Sequence, residues 1–142
     1  MPTSTASARY EGFGKDGKGA ISTRSGVLSD QPYGFGTRFE GQPGTNPEEL
    51  IAAAHAVCFT MATSFALARA GHAEGALETT CKVTLEQKDG GFAITRSALT
   101  LQATIEGIDA AEFERIADEA KASCPVSKLL TCEITLEKTL QG

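Results

Sequence analysis

Four cysteines, Cys58, Cys81, Cys124 and Cys132, are the residues in this chain best suited to chemistry. A thiol that reacts with a peroxide must be a thiolate, held so by nearby positive charge or hydrogen bonds. It also needs a way back from the sulfenic acid it becomes, which a second cysteine can supply. The spacings, with 22, 42 and 7 residues between successive cysteines, contain no Cys-x-x-Cys, and the two histidines, His55 and His72, complete no zinc set with them. Cys58 has apolar neighbours in Ala54, Val57, Phe59, Met61 and Ala62, whereas Cys124 precedes Pro125 at a helix start. Local electrostatics therefore rank Cys124 as the more acidic thiol, because a helix N-terminus favours a thiolate and burial disfavours one. Cys58 needs an imported cation, for which Arg9, Arg24, Arg38 and Arg96 are candidates. Arg38 lies shortly before the helix that carries Cys58, and Glu48 or Glu49 could hold it through a bidentate pair.

Each of these residues also has a plain structural reading. Cysteine on an apolar helix serves as a small core residue, Cys124 before Pro125 serves as a helix start, and a lone arginine is commonly solvated. His55, three residues before Cys58, is either a general base or a structural histidine on an apolar face. Cys81 and Cys132 fall in strand-like runs without a convergent partner and are read as structural. The glycines from Gly12 to Gly19 precede no helix, so no phosphate-cradling loop is expected.

The elements that must position these groups fit one α+β domain spanning residues 1–142, which can bury roughly 70% of the surface its unfolded form exposes. A net charge of −5 without any Lys/Arg run argues against nucleic acid as a partner. No secretory leader is read at the start, so a cytoplasmic protein with reduced thiols is expected. Residues 5–40 read as short strands joined by glycine turns. Asn46 and Pro47 then open a long helix to about Ala70, with Gly71 ending it. Leu50 to Ala68 carries no charged residue, but its many Ala, Thr and Ser residues and His55 favour a helix enclosed by protein over a membrane span. Strands over Leu77–Gln87 and Phe92–Glu106 flank Asp89-Gly90-Gly91, a hairpin signal. Asp109 should cap a helix to Ser123, Cys124-Pro125 should open a short one to Leu130, and a last strand should run from Cys132 to Leu140.

Several stretches together resemble one family. These are Tyr33-Gly34-Phe35, Arg38-Phe39-Glu40-Gly41, the run from Gly44-Thr45-Asn46-Pro47-Glu48-Glu49 through His55 to Cys58-Phe59, Gly91-Phe92-Ala93-Ile94-Thr95, and Cys124-Pro125-Val126-Ser127. In order and spacing they are similar to the OsmC/Ohr family of thiol-dependent hydroperoxide reductases, and Gly26-Val27-Leu28 and His55 match its OsmC branch. The resemblance implies an intertwined homodimer of long central helices wrapped by antiparallel sheets, with active sites at the subunit interface. It implies a peroxidase for organic hydroperoxides in oxidative and osmotic stress defence. Cys58 would be the attacking thiol and Cys124 the resolving one, which reverses the local ranking. Arg38 would activate the thiolate and Glu48 would orient Arg38, with Glu49 a possible support. The cycle would need no bound cofactor or metal and no membrane, only an external dithiol reductant. Cys81 and Cys132 are expected to be bystanders, and Phe35, Phe39 and Met61 are candidates for an apolar approach. Two other classes remain open: a redox sensor that oxidises once without turnover, and a binding protein for an apolar small molecule in which the thiols play no part.

Overall fold

In the computed structural model, which describes residues 1–141, local chemistry fixes both ends of the long helix α2 (Pro47–Arg69). At its start the Glu49 N–H donates to Asn46 Oδ1 at 2.8 Å, and Pro47 occupies the first helical position, where a missing N–H costs nothing. At its end Gly71 takes φ +95° and the His72 N–H donates to the Leu67 carbonyl at 3.0 Å, a Schellman closure that suits glycine. Length and composition would also let α2 cross a membrane, its most apolar window having a mean hydropathy of 1.8.

The chain divides into two compact units, Met1–Leu50 and the residues from Ile51 onward. In the first, β1 (Ala6–Glu11), β2 (Lys18–Thr23) and β3 (Gln31–Tyr33) form an antiparallel sheet in that order, with Ala8 opposite Ile21 and Gly19 opposite Tyr33. Gly19 is required by space, since a Cβ there would lie 2.5 Å from the Tyr33 ring. A five-residue helix, α1 (Phe35–Phe39), follows β3. The sequence suggested only a glycine turn here. The helix forms because Thr37 Oγ1 accepts from the Gly34 N–H at 2.9 Å and donates to its carbonyl at 3.1 Å, closing the first turn.

In the second unit β4 (Ala76–Lys88) and β5 (Gly91–Thr104) form the expected hairpin, with φ +51° at Asp89 and +80° at Gly90. β5 buries Ser97, Leu99, Leu101 and Ala103, every second residue, as a half-buried strand must. Helix α3 (Ala110–Ser123) lays Phe113, Ile116, Ala117 and Ala120 into the same core, the i, i+3, i+4, i+7 stripe. Short α4 (Pro125–Leu129) and β6 (Glu133–Gln141) complete the unit.

Three expectations are corrected. β6 pairs parallel to β5, so this sheet is mixed rather than antiparallel, because α3 and α4 form the crossover that returns the chain to the starting end of β5. Asp109 occupies the N-cap position of α3, yet its side chain makes no cap hydrogen bond; the first turn is closed through the main chain, Phe113 N–H to Asp109 C=O at 3.0 Å. Finally, α2 is not enclosed on every side within the chain. Val57, Met61 and Phe65, spaced four residues apart on one face, are 63%, 56% and 61% exposed.

Candidate active site

The second unit brings Cys58 and Cys124 together. Cys58 projects from α2 next to the buried Phe59. Cys124 is the junction of two helices: its N–H donates to the Ala120 carbonyl, ending α3, and its own carbonyl accepts from Lys128 N–H, opening α4. Main-chain bonds on both sides thus fix where its sulfur points. The two thiols hydrogen-bond to each other, and the Val126 N–H is directed at both sulfurs.

The electrostatics of the pair are unequal. Burial pushes Cys58 above the ordinary thiol range, and the hydrogen bond it gives to Cys124 raises it further, against a smaller opposing effect of the Val126 N–H. Burial also acts to raise Cys124, but hydrogen bonds from Cys58, from the Ser127 main chain and hydroxyl and from the Val126 N–H outweigh it and leave Cys124 below that range. Within this unit Cys124 is therefore the more acidic of the two thiols, as its place at a helix start suggests. Access runs the other way. Cys124 is 0% exposed, while Cys58 is only half-buried.

Beside the pair lies a buried polar chain that the sequence did not disclose. His55, fully buried, places Nδ1 2.6 Å from Ser97 Oγ and Nε2 2.8 Å from Ser127 Oγ. Ser97 Oγ lies 3.2 Å from Cys81 Sγ. Cys81 therefore has a partner, contrary to the sequence reading, because the β4–β5 register sets Cys81 opposite Leu99 and leaves Ser97 as its diagonal neighbour on the same face. Burial holds His55 below the ordinary histidine range, in the neutral form. Cys81 is pushed up by burial, with the Ser97 hydrogen bond opposing and the charge of Cys132 adding to the rise.

Arg38 and Glu48 meet in the first unit. Arg38 Nε donates to Glu48 Oε1 at 3.0 Å and Nη2 donates to Oε2 at 2.8 Å, a bidentate pair. Asn46 makes the meeting possible: while its Oδ1 caps α2, its Nδ2 donates to the Thr37 carbonyl at 3.2 Å, tying α1 to the start of α2. Arg38 also stands 5.5 Å from the centre of the Phe39 ring. Glu49 is engaged elsewhere, accepting from Thr45 Oγ1 at 2.7 Å. Phe35 and Phe39 pack on each other, 5.1 Å between ring centres, and Met61 belongs to the exposed face of α2. Among the described residues no three His, Cys, Asp or Glu side chains converge as a metal-binding group.

A dithiol in contact, one member acidic and the other accessible, is suited to sulfenic-acid and disulfide chemistry. Comparison with known proteins agrees with that. The profile of the OsmC-like protein family matches residues 39–138. The chain is 55% identical over 135 residues to peroxiredoxin OsmC of Escherichia coli, covering 95% of this chain and 94% of that one. It is 33% identical to the organic hydroperoxide resistance protein OhrA of Bacillus subtilis, covering 96% of each. Its fold is similar to the crystal structure of OhrB from Bacillus subtilis, with a TM-score of 0.70, 29% identity and 98% of both chains covered. With this profile match and these identities, the chain belongs to the OsmC-like family, among its OsmC and Ohr members.

Proposed function

We propose that this chain is a thiol-dependent peroxidase that reduces organic hydroperoxides to alcohols in stress defence, with Cys58 as the attacking thiol and Cys124 as the resolving one. The observation that carries this reading is the contact between the two thiols, the accessible one on α2 and the fully buried one between α3 and α4. A substrate that must reach sulfur meets Cys58 first. Because Cys58 in its own unit is the less acidic thiol, it needs a cation, and Arg38, held by Glu48, is the group proposed to supply it.

The Cys58 thiolate attacks the distal oxygen of the hydroperoxide. An S–O bond forms and the O–O bond breaks, sulfur is oxidised by two electrons, and the leaving alkoxide takes a proton to become the alcohol. Cys124 then attacks the sulfenic sulfur. The S–S bond forms as S–O breaks, and hydroxide leaves as water with the proton Cys124 gave up. An external dithiol restores both thiols by exchange, and no resident cofactor enters the cycle. The resting protein is proposed to be cytoplasmic, with its thiols reduced.

The active form is proposed to be a homodimer without membrane insertion. Val57, Met61 and Phe65 form a stripe on one face of α2 that a second copy of the chain would cover, whereas a spanning helix would face lipid on more sides and is unsuited to the polar His55, Thr60 and Thr63 of this one. Steady-state reduction of cumene hydroperoxide with dithiothreitol tests the activity. Turnover by the wild type and its loss in Cys58→Ser are expected; full activity of that variant would overturn the assignment.

A further inference from the structure

His55 is fully buried, and both ring nitrogens are used, one on Ser97 and one on Ser127. A neutral imidazole has one N–H and one bare nitrogen, so one serine must accept from the ring and the other must donate to it. The hydroxyls are equally constrained, since each has one proton to give. We propose that His55 and Ser127 form a positioning relay for the resolving thiol, in which the buried imidazole aims the Ser127 hydroxyl at Cys124 Sγ and Ser97 and Cys81 anchor its far end. This rests on the peroxidase reading of the same cysteine pair.

The direction of the chain follows from counting protons. If the Ser127 O–H points at Cys124, its oxygen must accept from His55 Nε2–H at 2.8 Å. Nδ1 is then bare, and Ser97 O–H donates to it at 2.6 Å. Cys81 Sγ lies 3.2 Å from Ser97 Oγ and closes the far end of the chain. Every rotor is set by the next, and every dipole points its positive end toward Cys124. Low dielectric strengthens such an aligned chain, and the burial that holds His55 and Cys81 in their neutral forms keeps it intact. The titratable groups facing the chain are Cys58 and His55 on α2, Cys81 on β4, Cys124 itself, and Cys132, whose charge bears on Cys81.

The relay serves the second half of the cycle. In the reduced protein Cys58 donates to Cys124, which makes the resolving thiol the more acidic of the two. Once Cys58 is a sulfenic acid that donor is gone, and the Ser127 hydroxyl is the side-chain donor left to hold Cys124 as the thiolate that attacks. Removing it slows disulfide formation without removing the nucleophile of the first step. Histidine, Ser127 and Ser97 are positioning residues here, because none of them is placed on the peroxide.

The test separates the two half-reactions. Reduced wild type, Ser127→Ala and His55→Gln are each mixed with one equivalent of cumene hydroperoxide, and cumyl alcohol release and disulfide formation are followed in acid-quenched samples. In both variants alcohol release should stay within about threefold of wild type. Disulfide formation should slow by about ten- to a hundred-fold, the worth of one hydrogen bond to a charged group, and a dimedone-reactive sulfenic acid should accumulate. Ser127→Thr, which keeps the hydroxyl, should restore the rate. A second readout avoids peroxide altogether: in the Cys58→Ser background, the pH of half-maximal Cys124 alkylation by iodoacetamide should move upward on adding Ser127→Ala and return with Ser127→Thr. Unchanged disulfide rates and an unmoved alkylation profile in variants that fold would overturn the relay. Absence of any alcohol burst in the wild type would instead overturn the peroxidase reading.

Discussion

Arg38 donates through Nε and Nη2 to the two carboxylate oxygens of Glu48, at 3.0 and 2.8 Å, while the neighbouring Glu49 is taken up by Thr45. The fork geometry holds the guanidinium in one orientation, and an arginine that must meet a thiolate gains from being held. Glu48→Gln should keep the fold and lower kcat/KM for cumene hydroperoxide by about tenfold, roughly 1.4 kcal/mol of barrier. Arg38→Ala should cost about a hundredfold or more, and Arg38→Lys should not rescue it, because an ammonium cannot make the bidentate pair. Steady-state kinetics check all three, and equal rates for Glu48→Gln and wild type would remove the orienting role.

Cys124→Ser should stop the cycle halfway. Without added thiol, one equivalent of alcohol should appear per chain and turnover should then end, with dimedone labelling Cys58. Mass spectrometry of the labelled peptides reads this, and a Cys58 found in a disulfide at the wild-type rate instead of carrying dimedone would contradict a resolving role for Cys124.

Acidification should destabilise the protein through His55. Its folded pKa is depressed by burial, whereas in the unfolded chain it returns to about 6.5. Between those two values the unfolded state binds the extra proton, so unfolding free energy rises with pH and is lost as pH falls below about 6.5, by up to about 1.4 kcal/mol per pH unit. Urea unfolding at pH 7.5, 6.5 and 5.5 should show that loss in wild type and a smaller one in His55→Gln. Parallel losses in both would place the pH dependence elsewhere.

The exposed α2 stripe should be an interface between copies. Light scattering on the eluted protein should give the mass of two chains, and Met61→Asp, at the centre of the stripe, should reduce it toward one. A wild-type mass of one chain would contradict the homodimer.

What could be read without coordinates was whatever depends on residues close in sequence. Asn46-Pro47, Gly71 and Asp89-Gly90 mark their elements by turn and cap chemistry that acts over a few residues, and the α3 stripe is visible as periodicity. Features that depend on distant partners were not legible. The parallel pairing of β6 requires knowing where the α3–α4 crossover sets the chain down, and the Cys81–Ser97 contact requires the hairpin register. Helix α1 was hidden for a different reason: glycines at Gly34 and Gly36 signal a turn, and the Thr37 hydroxyl that closes the helix carries no distinctive pattern. At the site, local electrostatics pointed to Cys124 as the acidic thiol, and resemblance alone suggested that Cys58 attacks. Sequence also gave no physical reason to prefer Glu48 over Glu49, since the choice turns on which carboxylate the Thr45 hydroxyl occupies.

The most direct measurement is a disulfide map of the protein after one equivalent of cumene hydroperoxide, by alkylation of remaining thiols, proteolysis and mass spectrometry. A Cys58–Cys124 crosslink with Cys81 and Cys132 still free is the predicted result. A bond through Cys81 or Cys132, or an unoxidised Cys58 after the peroxide is consumed, would contradict it.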